Sequence, residues 1–191
     1  MATKTTYHSR LLKKYRDELR IELRKDLKLT NVHEVPALEK VVVSVGTGRA
    51  KEDNRAQDVV ENTLRKITGQ QPVSSNARQS IASFKLREGQ KVGYRTTLRG
   101  QRMYDFTDRF INIVLPRLRD FHGVNPKSFD KDGNYSIGLT EQSVFPELSF
   151  EDTNVLHGLQ VTFVTTTKNQ EHAKALLKTL GMPFEKEKEN K

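Results

Sequence analysis

The stretch from Phe84 to Gly100, FKLREGQKVGYRTTLRG, constrains the fold most, because two patterns alternate along it. Every second side chain is apolar over much of its length, and most of the others are cationic. A period of two is typical of a strand with one buried and one open face. A tight turn at Glu88-Gly89 would join the two halves as a hairpin. We therefore predict an antiparallel sheet with an apolar face and a basic face.

The hairpin separates its side chains into two sets. The apolar set is Phe84, Leu86, Val92, Tyr94 and Leu98, and the basic set is Lys85, Arg87, Lys91, Arg95 and Arg99. Like charges that face each other across strands are destabilising. A bound polyanion would relieve that repulsion, so the basic set indicates a surface for nucleic acid.

The distribution of charge supports this interpretation. The net charge of the 191-residue chain is +9, and residues 65–102 carry nine cations and one acidic residue. Residues 141–191 instead carry six cations and eight acidic residues. Ordinary solvated surfaces mix the two signs, whereas a concentrated basic region is the expected footprint of polyanion binding.

The rest of the chain alternates helical and strand patterns. A stripe of Leu12, Tyr15, Leu19, Leu23 and Leu27 predicts a helix over 9–28. Further helices are predicted over 52–68, 101–118 and 169–180, and strands over 40–46 and 159–167, with a polar connection at 70–80 and short strands and loops over 119–157. The fold class follows as α+β, a single mostly antiparallel sheet with helices on one face and the other face open and basic. We predict one domain over residues 1–184 and a charged tail over 185–191.

Motifs for other chemistry are incomplete. The turn Gly46-Thr47-Gly48 follows a strand but lacks the further residues of a dinucleotide or P-loop motif, so a nucleotide-dependent enzyme is only the alternative. The run DKDGNYSIGLTE has the spacing of a calcium loop but holds Tyr135 where glycine is required, and Asp132-Gly133-Asn134 is better read as a turn. The chain has no cysteine, and its histidines are scattered. We predict no catalytic residue, no metal, no cofactor and no membrane association, and a cytoplasmic location.

The basic face is then the candidate site. Lys40 and Ser44 of the strand at 40–46 would extend the hairpin's cations and Thr97 into one surface. Cations, hydroxyl groups and a small residue such as Gly93 suit phosphate and ribose. Aromatic residues make up 7% of the chain, so we expect recognition of the shape and backbone of a folded RNA to outweigh stacking on bases.

Longer stretches resemble a known family, the bacterial large-subunit ribosomal protein L-five. The matching stretches are VPALEKVVVSVGTG, ITGQQPVSSNARQSIASFKLREGQKVGYRTTLRGQRMYDF, LPRLRDFHGVNPKSFDKDGNYSIGLTEQSVFPE and GLQVTFVTTTKNQEHAKALLKTLGMPF. The resemblance implies a protein that binds 5S rRNA and helps attach it to 23S rRNA in the central protuberance. It also implies contacts with P-site tRNA, with a small-subunit head protein across an intersubunit bridge, and with other proteins of the protuberance.

The resemblance also implies roles for single residues. Ser44, Gln70, Thr97 and Arg99 match RNA contacts, and Ser44 stands where many relatives have asparagine. The segment 74–80 matches a loop that approaches tRNA, and its candidate contacts are Ser75, Asn76, Arg78, Gln79 and Ser80. Gln79 replaces a cation common in relatives, and His122 replaces a common arginine.

Overall fold

The computed structural model describes residues 8–48, 54–119 and 121–185. A five-stranded antiparallel sheet runs through these residues in the order β2-β3-β1-β5-β4. Its strands are β1 (Leu38–Gly46), β2 (Val73–Asn76), β3 (Lys91–Leu98), β4 (Tyr135–Leu139) and β5 (Leu159–Thr165). The α-helices of the described residues are α1 (Arg10–Lys14), α2 (Arg20–Asp26), α3 (Asn54–Thr68), α4 (Gly100–Arg109) and α5 (Gln170–Thr179). The predicted α+β class is confirmed.

The faces of the sheet follow from the alternation of side chains along its strands. On β1, Val41, Val43 and Val45 are buried, while Lys40, Val42 and Ser44, which alternate with them, are half-buried. On β5, Leu159, Val161 and Phe163 are buried in the same alternating way. The predicted division of β1 into a core side and an outer side is confirmed.

The chain divides into two compact units. The first unit takes in the chain up to Val41, residues 98–135 and the chain from Phe163 onwards. The second unit takes in residues 42–97 and 136–162. Each unit has buried apolar residues of its own.

Helices and aromatic rings build the first unit. A π-helical turn, Tyr15–Leu19, joins α1 to α2, and Leu11, Tyr15, Leu19 and Leu23 are buried. The Tyr15 hydroxyl donates to the Pro36 carbonyl at 2.8 Å, and its ring lies 5.8 Å from that of Tyr104. Phe110, on the π-helical segment Phe110–Val114 after α4, packs 5.7 Å from Phe163. The amphipathic stripe predicted over 9–28 therefore faces the core, with Leu12 and Leu27 half-buried at its borders.

The predicted ends of two helices are confirmed. The Asn169 side chain accepts a hydrogen bond from the Glu171 N–H at 2.9 Å and so caps α5. Gly69, just after α3, has a φ of 65°. That left-handed conformation costs glycine least, which explains why α3 ends there.

The short elements of residues 119–157 also follow the prediction. Among the described residues of this range, β4 is accompanied by brief 3-10 turns at Gln142–Val144 and Phe150–Thr153. The turn at Asp132-Gly133-Asn134 is present, because the Asp130 carboxylate accepts from the N–H groups of Asp132 and Asn134 at 3.0 and 2.7 Å. Of the predicted charged tail, residues 186–191 lie outside the described residues.

The predicted hairpin over 84–98 is wrong in its first strand. Residues 82–84 form a 3-10 turn, Lys85 has a left-handed φ of 49°, and β3 begins only at Lys91. Strand β3 pairs instead with β2, with Val73 opposite Arg95 and Ser75 opposite Gly93. Strand β2 lies in the predicted polar connection at 70–80, and its four residues are mostly small and polar. Such residues are compatible with a short edge strand that buries neither face.

Candidate nucleic-acid interface

Strand β3 carries the best-defined part of the predicted site. Arg95 is exposed and Thr97 is half-buried on one side of the strand, whereas Tyr94, Thr96 and Leu98 are buried on the other. Lys91 is exposed at the start of the strand, where the pairing with β2 shifts its register, and its Nζ lies 5.8 Å from the centre of the Tyr94 ring. Ser44 lies on the corresponding side of β1, the neighbouring strand. We call the surface formed by Ser44, Lys91, Arg95 and Thr97 the β1–β3 face.

Gly93 determines how closely the two strands of this face approach. A Cβ atom at Gly93 would lie 2.6 Å from the Val45 carbonyl oxygen, a distance that real contacts do not reach. Only glycine therefore fits at this position without a shift of the backbone. The space that a side chain would occupy is filled by the backbone of β1, so Gly93 allows close packing of the two strands and is itself buried.

Gln70 also belongs beside this face. The left-handed Gly69 ends α3 and turns the chain toward β3, where the Gln70 side-chain amide donates to the Thr97 carbonyl at 3.3 Å. Two residues 27 positions apart are thus brought together. In the sequence, only the family resemblance indicates that Gln70 is a site residue.

Two predicted contacts lie in the first unit. Lys40 is half-buried on β1, four residues before Ser44, with its Nζ 3.5 Å from the Glu39 carboxylate. Arg99 is exposed and occupies the N-cap position of α4. Both remain predicted contacts.

The remaining candidates lie on β2 and on the segment that connects it to β3, which we call the 77–90 loop. Ser75 and Asn76 belong to β2 and pair with Gly93 and Lys91. Arg78, Gln79 and Ser80 are exposed in the 77–90 loop, as are Lys85 and Arg87. The hairpin prediction placed Lys85 and Arg87 on the basic face by strand alternation. Because they lie in the 77–90 loop and not on a strand, that placement is wrong.

The electrostatics of the second unit favour an anionic partner. Among the residues that the structure describes, no carboxylate lies within 4.0 Å of the charged groups of Arg78, Lys85, Arg87, Lys91 or Arg95. Exposed cations without a paired carboxylate keep their attraction for phosphate, which an internal ion pair would partly cancel.

Family models cover most of the chain. The model described as Ribosomal protein L5 matches residues 31–87, and the model for the C-terminus of the same ribosomal family matches residues 91–184. The chain belongs to the ribosomal protein L5 family. The L-five resemblance seen in the sequence is thereby confirmed.

Individual relatives agree with this assignment. The Large ribosomal subunit protein uL5 of Natranaerobius thermophilus is 50% identical over 176 residues, which cover 92% of this chain and 98% of the relative. The protein of the same name from Leifsonia xyli subsp. xyli is 51% identical over 175 residues, covering 92% of this chain and 90% of the relative. That from Parasynechococcus marenigrum is 48% identical over 175 residues, with coverages of 92% and 98%.

Membership of the L5 family defines the general role of the chain. It is a structural constituent of the large ribosomal subunit and binds ribosomal RNA. The predicted location, in the ribosome and hence in the cytoplasm, is confirmed by the same finding. None of the helices in the described ranges is long and apolar enough to cross a bilayer.

The alternative site at Gly46-Thr47-Gly48 borders a cleft of about 850 Å³, which Val60 and residues 155–158 also line. A phosphate-binding turn needs N–H groups that point at the ligand, but the Thr47 N–H already donates to the Val92 carbonyl at 3.0 Å. Burial lowers the pKa of His157 in the wall of the cleft, so its ring is neutral at pH 7. The described residues contain no group of three side chains able to hold a metal ion. These observations do not favour the alternative function, a nucleotide-dependent enzyme, and the family assignment is to a structural ribosomal protein.

Proposed function

We propose that the chain binds 5S rRNA through the β1–β3 face. The register of β3 carries this proposal. It directs Arg95 and Thr97 to one side of the strand, with Lys91 exposed at its start, while Tyr94, Thr96 and Leu98 are buried on the other side. The face therefore presents positive charge on a strand that is hydrogen-bonded on both sides, which suits a polyanionic partner.

The chemistry of the face suits the backbone of a folded RNA. Lys91 and Arg95 supply positive charge for phosphates, and the hydroxyl groups of Ser44 and Thr97 can exchange hydrogen bonds with ribose 2′-hydroxyls. Such contacts recognise the shape of the RNA, since double-stranded RNA offers few base edges to a flat protein surface. Lys40, Gln70 and Arg99 complete the proposed set of contacts.

The wider partners of the proposed function rest on the family resemblance. Bound 5S rRNA would be attached to 23S rRNA in the central protuberance, next to other proteins of that region. The segment 74–80, which takes in the end of β2 and the start of the 77–90 loop, would meet P-site tRNA. A further surface would contact a small-subunit head protein across an intersubunit bridge. Different surfaces of one protein would thus link two rRNAs, a tRNA and the other subunit.

A binding experiment with the purified full chain tests the 5S proposal. We expect the protein to bind 5S rRNA more tightly than an unrelated folded RNA of similar size. Each neutralised phosphate contributes roughly 0.7 to 0.9 to the slope of log affinity against log salt. Lys91→Ala and Arg95→Ala should therefore each weaken binding and reduce that slope by about one unit or less.

Lys178→Ala is the matched control, because it removes the same charge from an exposed position of α5 in the more acidic half of the chain. It should leave both affinity and slope close to those of the wild type. Equal effects of all three substitutions would mean that net charge, rather than the β1–β3 face, attracts the RNA. Equal affinity for the two RNAs would contradict 5S recognition itself.

A further inference from the structure

The 77–90 loop exposes apolar side chains where a connecting loop would ordinarily be polar. The Phe84 side chain is 63% exposed and Ile81 is 40% exposed. Single exposed apolar residues are common on protein surfaces. Here, however, two lie near each other in the chain, on the same loop as three exposed cations, Arg78, Lys85 and Arg87.

Hydrogen bonds hold this loop in a defined shape. At its base, the Ala77 N–H donates a hydrogen bond to the Gln90 carbonyl at 2.8 Å. Near its tip, Ile81 and Leu86 exchange two backbone hydrogen bonds of 3.0 and 3.1 Å. Between these levels, the Glu88 N–H donates to the Ser80 hydroxyl at 2.9 Å. The loop is therefore a short extension of the β2–β3 pair, and Phe84 lies on a supported turn.

The 3-10 turn at the tip ends in a left-handed residue that is not glycine. Lys85, directly after Phe84, has a φ of 49°, a conformation that costs a residue with a side chain roughly 1 kcal/mol or more and that glycine adopts freely. Strained residues of this kind concentrate at sites with a function. The strain at Lys85 accompanies a turn that keeps the neighbouring ring of Phe84 at the surface.

The charge around the ring identifies the class of partner. Glu88 is the one acidic residue in 77–90, against the cations Arg78, Lys85 and Arg87. An apolar protein surface would not need this excess of positive charge. An exposed aromatic ring among cations is the arrangement by which proteins stack on a nucleobase while binding the adjacent phosphates.

We propose that Phe84 stacks on an accessible base of a folded RNA, and that Arg78, Lys85 and Arg87 bind the phosphates next to it. The inference rests on the proposed function, in which residues 74–80 meet P-site tRNA, and extends that contact to the tip of the same loop by adding a stacked base. It also differs from the recognition proposed for the β1–β3 face, where the described side chains offer charge and hydroxyl groups but no exposed aromatic ring.

Ribosomes that carry a variant as their sole copy of this protein test the inference. The measurement is the dissociation rate of P-site tRNA across a salt series, with 5S rRNA binding by the free full chain measured in parallel. Phe84→Ala should speed dissociation between about five-fold and about one-hundred-fold, the range of a lost base–aromatic stack. The dependence on salt should not change, because no charge is removed.

Two conservative variants separate stacking from mere apolar contact. Phe84→Tyr keeps an aromatic ring and should release tRNA at the wild-type rate. Phe84→Leu keeps apolar bulk without the ring and should behave more like Phe84→Ala. Phe150→Ala is the matched control, since it removes another highly exposed ring of the second unit outside this loop and should have no effect.

The other results each count against a defined part of the proposal. If Arg78→Ala speeds release but Phe84→Ala does not, the tRNA contact holds and the stacking inference fails. If neither substitution has an effect, both the proposed tRNA contact of the loop and the stacking inference are contradicted. If Phe84→Leu matches the wild type, the contact is apolar but not aromatic. If Phe84→Ala weakens 5S rRNA binding instead, the partner is wrong.

Discussion

At the scale of single residues, Thr96 and Thr97 offer a direct comparison. They are neighbours on β3 with opposite environments, because Thr97 lies on the β1–β3 face and Thr96 is buried. Thr97→Val keeps the shape and strand propensity of the residue but removes its hydroxyl group. We expect weaker binding of 5S rRNA with an unchanged salt slope and an unchanged melting temperature.

Thr96→Val should have the opposite effects. Within the described part of the chain, the Thr96 hydroxyl oxygen is buried and has no hydrogen-bond partner. A buried hydroxyl without a partner costs about 1 kcal/mol or more. Replacing it by a methyl group should raise the melting temperature and leave RNA binding unaltered. Reduced RNA binding by Thr96→Val would show that the two sides of β3 are not independent.

Glycines on the sheet provide a test of how closely the RNA approaches. Gly46 and Gly138 are both exposed strand residues, and a Cβ atom added at either meets no heavy atom within 4 Å. Alanine should therefore be tolerated by the fold at both. Gly46 ends β1 beside the proposed interface, so Gly46→Ala should weaken 5S rRNA binding by steric exclusion. Gly138→Ala, on β4, should not, and equal binding by both variants would exclude close approach at Gly46.

At the scale of elements, one ion pair joins α3 to the 3-10 turn Phe150–Thr153. Lys66 Nζ lies 2.6 Å from the Asp152 carboxylate, which also accepts hydrogen bonds from Ser149. The hydrogen bond from Lys66, together with those from Ser149, lowers the pKa of Asp152 to about 2. Because the folded-state pKa is depressed, the contribution to stability is present above the unfolded pKa and is lost as the pH falls through the folded value.

This pair predicts a pH dependence of unfolding. The Lys66 side chain is 46% exposed, so solvent screening limits the contribution to about 1 kcal/mol or less. Asp152→Asn should lower the free energy of unfolding by that amount at pH 7 and by little at pH 2. The difference from the wild type should disappear between about pH 4 and pH 2. Glu151→Gln, an exposed neighbour on the same turn, is the control, and a loss equal to that of Asp152→Asn would exclude the ion pair as the cause.

At the scale of the whole molecule, the net charge of +9 should make stability depend on RNA and salt together. A ligand that binds only the folded state stabilises it by about 2.7 kcal/mol at one hundred times its dissociation constant. Thermal unfolding of the full chain should therefore shift to higher temperature with 5S rRNA. The shift should shrink as salt rises, because counterion release weakens. A shift that persists unchanged at high salt would contradict binding mainly through phosphates.

Much of the fold could be predicted because local periodicity reflects burial. Val41, Val43 and Val45 of β1 and the central stripe residues Tyr15, Leu19 and Leu23 lie on the side that their spacing indicated. Gly69 and Asn169 mark helix ends through their own backbone and side-chain chemistry. Each of these features depends on residues a few positions apart in the chain. The sequence alone therefore determined the fold class, the core faces and the basic character of β3.

Only the tertiary structure decided which strand lies beside β3. Strands pair through backbone N–H and C=O groups, which are nearly the same for every residue. The alternating side chains from Phe84 to Arg87 therefore do not show which strand pairs with β3. Pairing with β2 satisfies the backbone hydrogen-bonding groups at the outer edge of β3, although the four residues of β2 show no strand pattern. The residues from Lys85 to Arg87 are thereby released into the 77–90 loop, where they accompany Phe84 instead of the β1–β3 face. Strand pairing is a property of chain segments distant in sequence, and side-chain periodicity within one segment does not encode it.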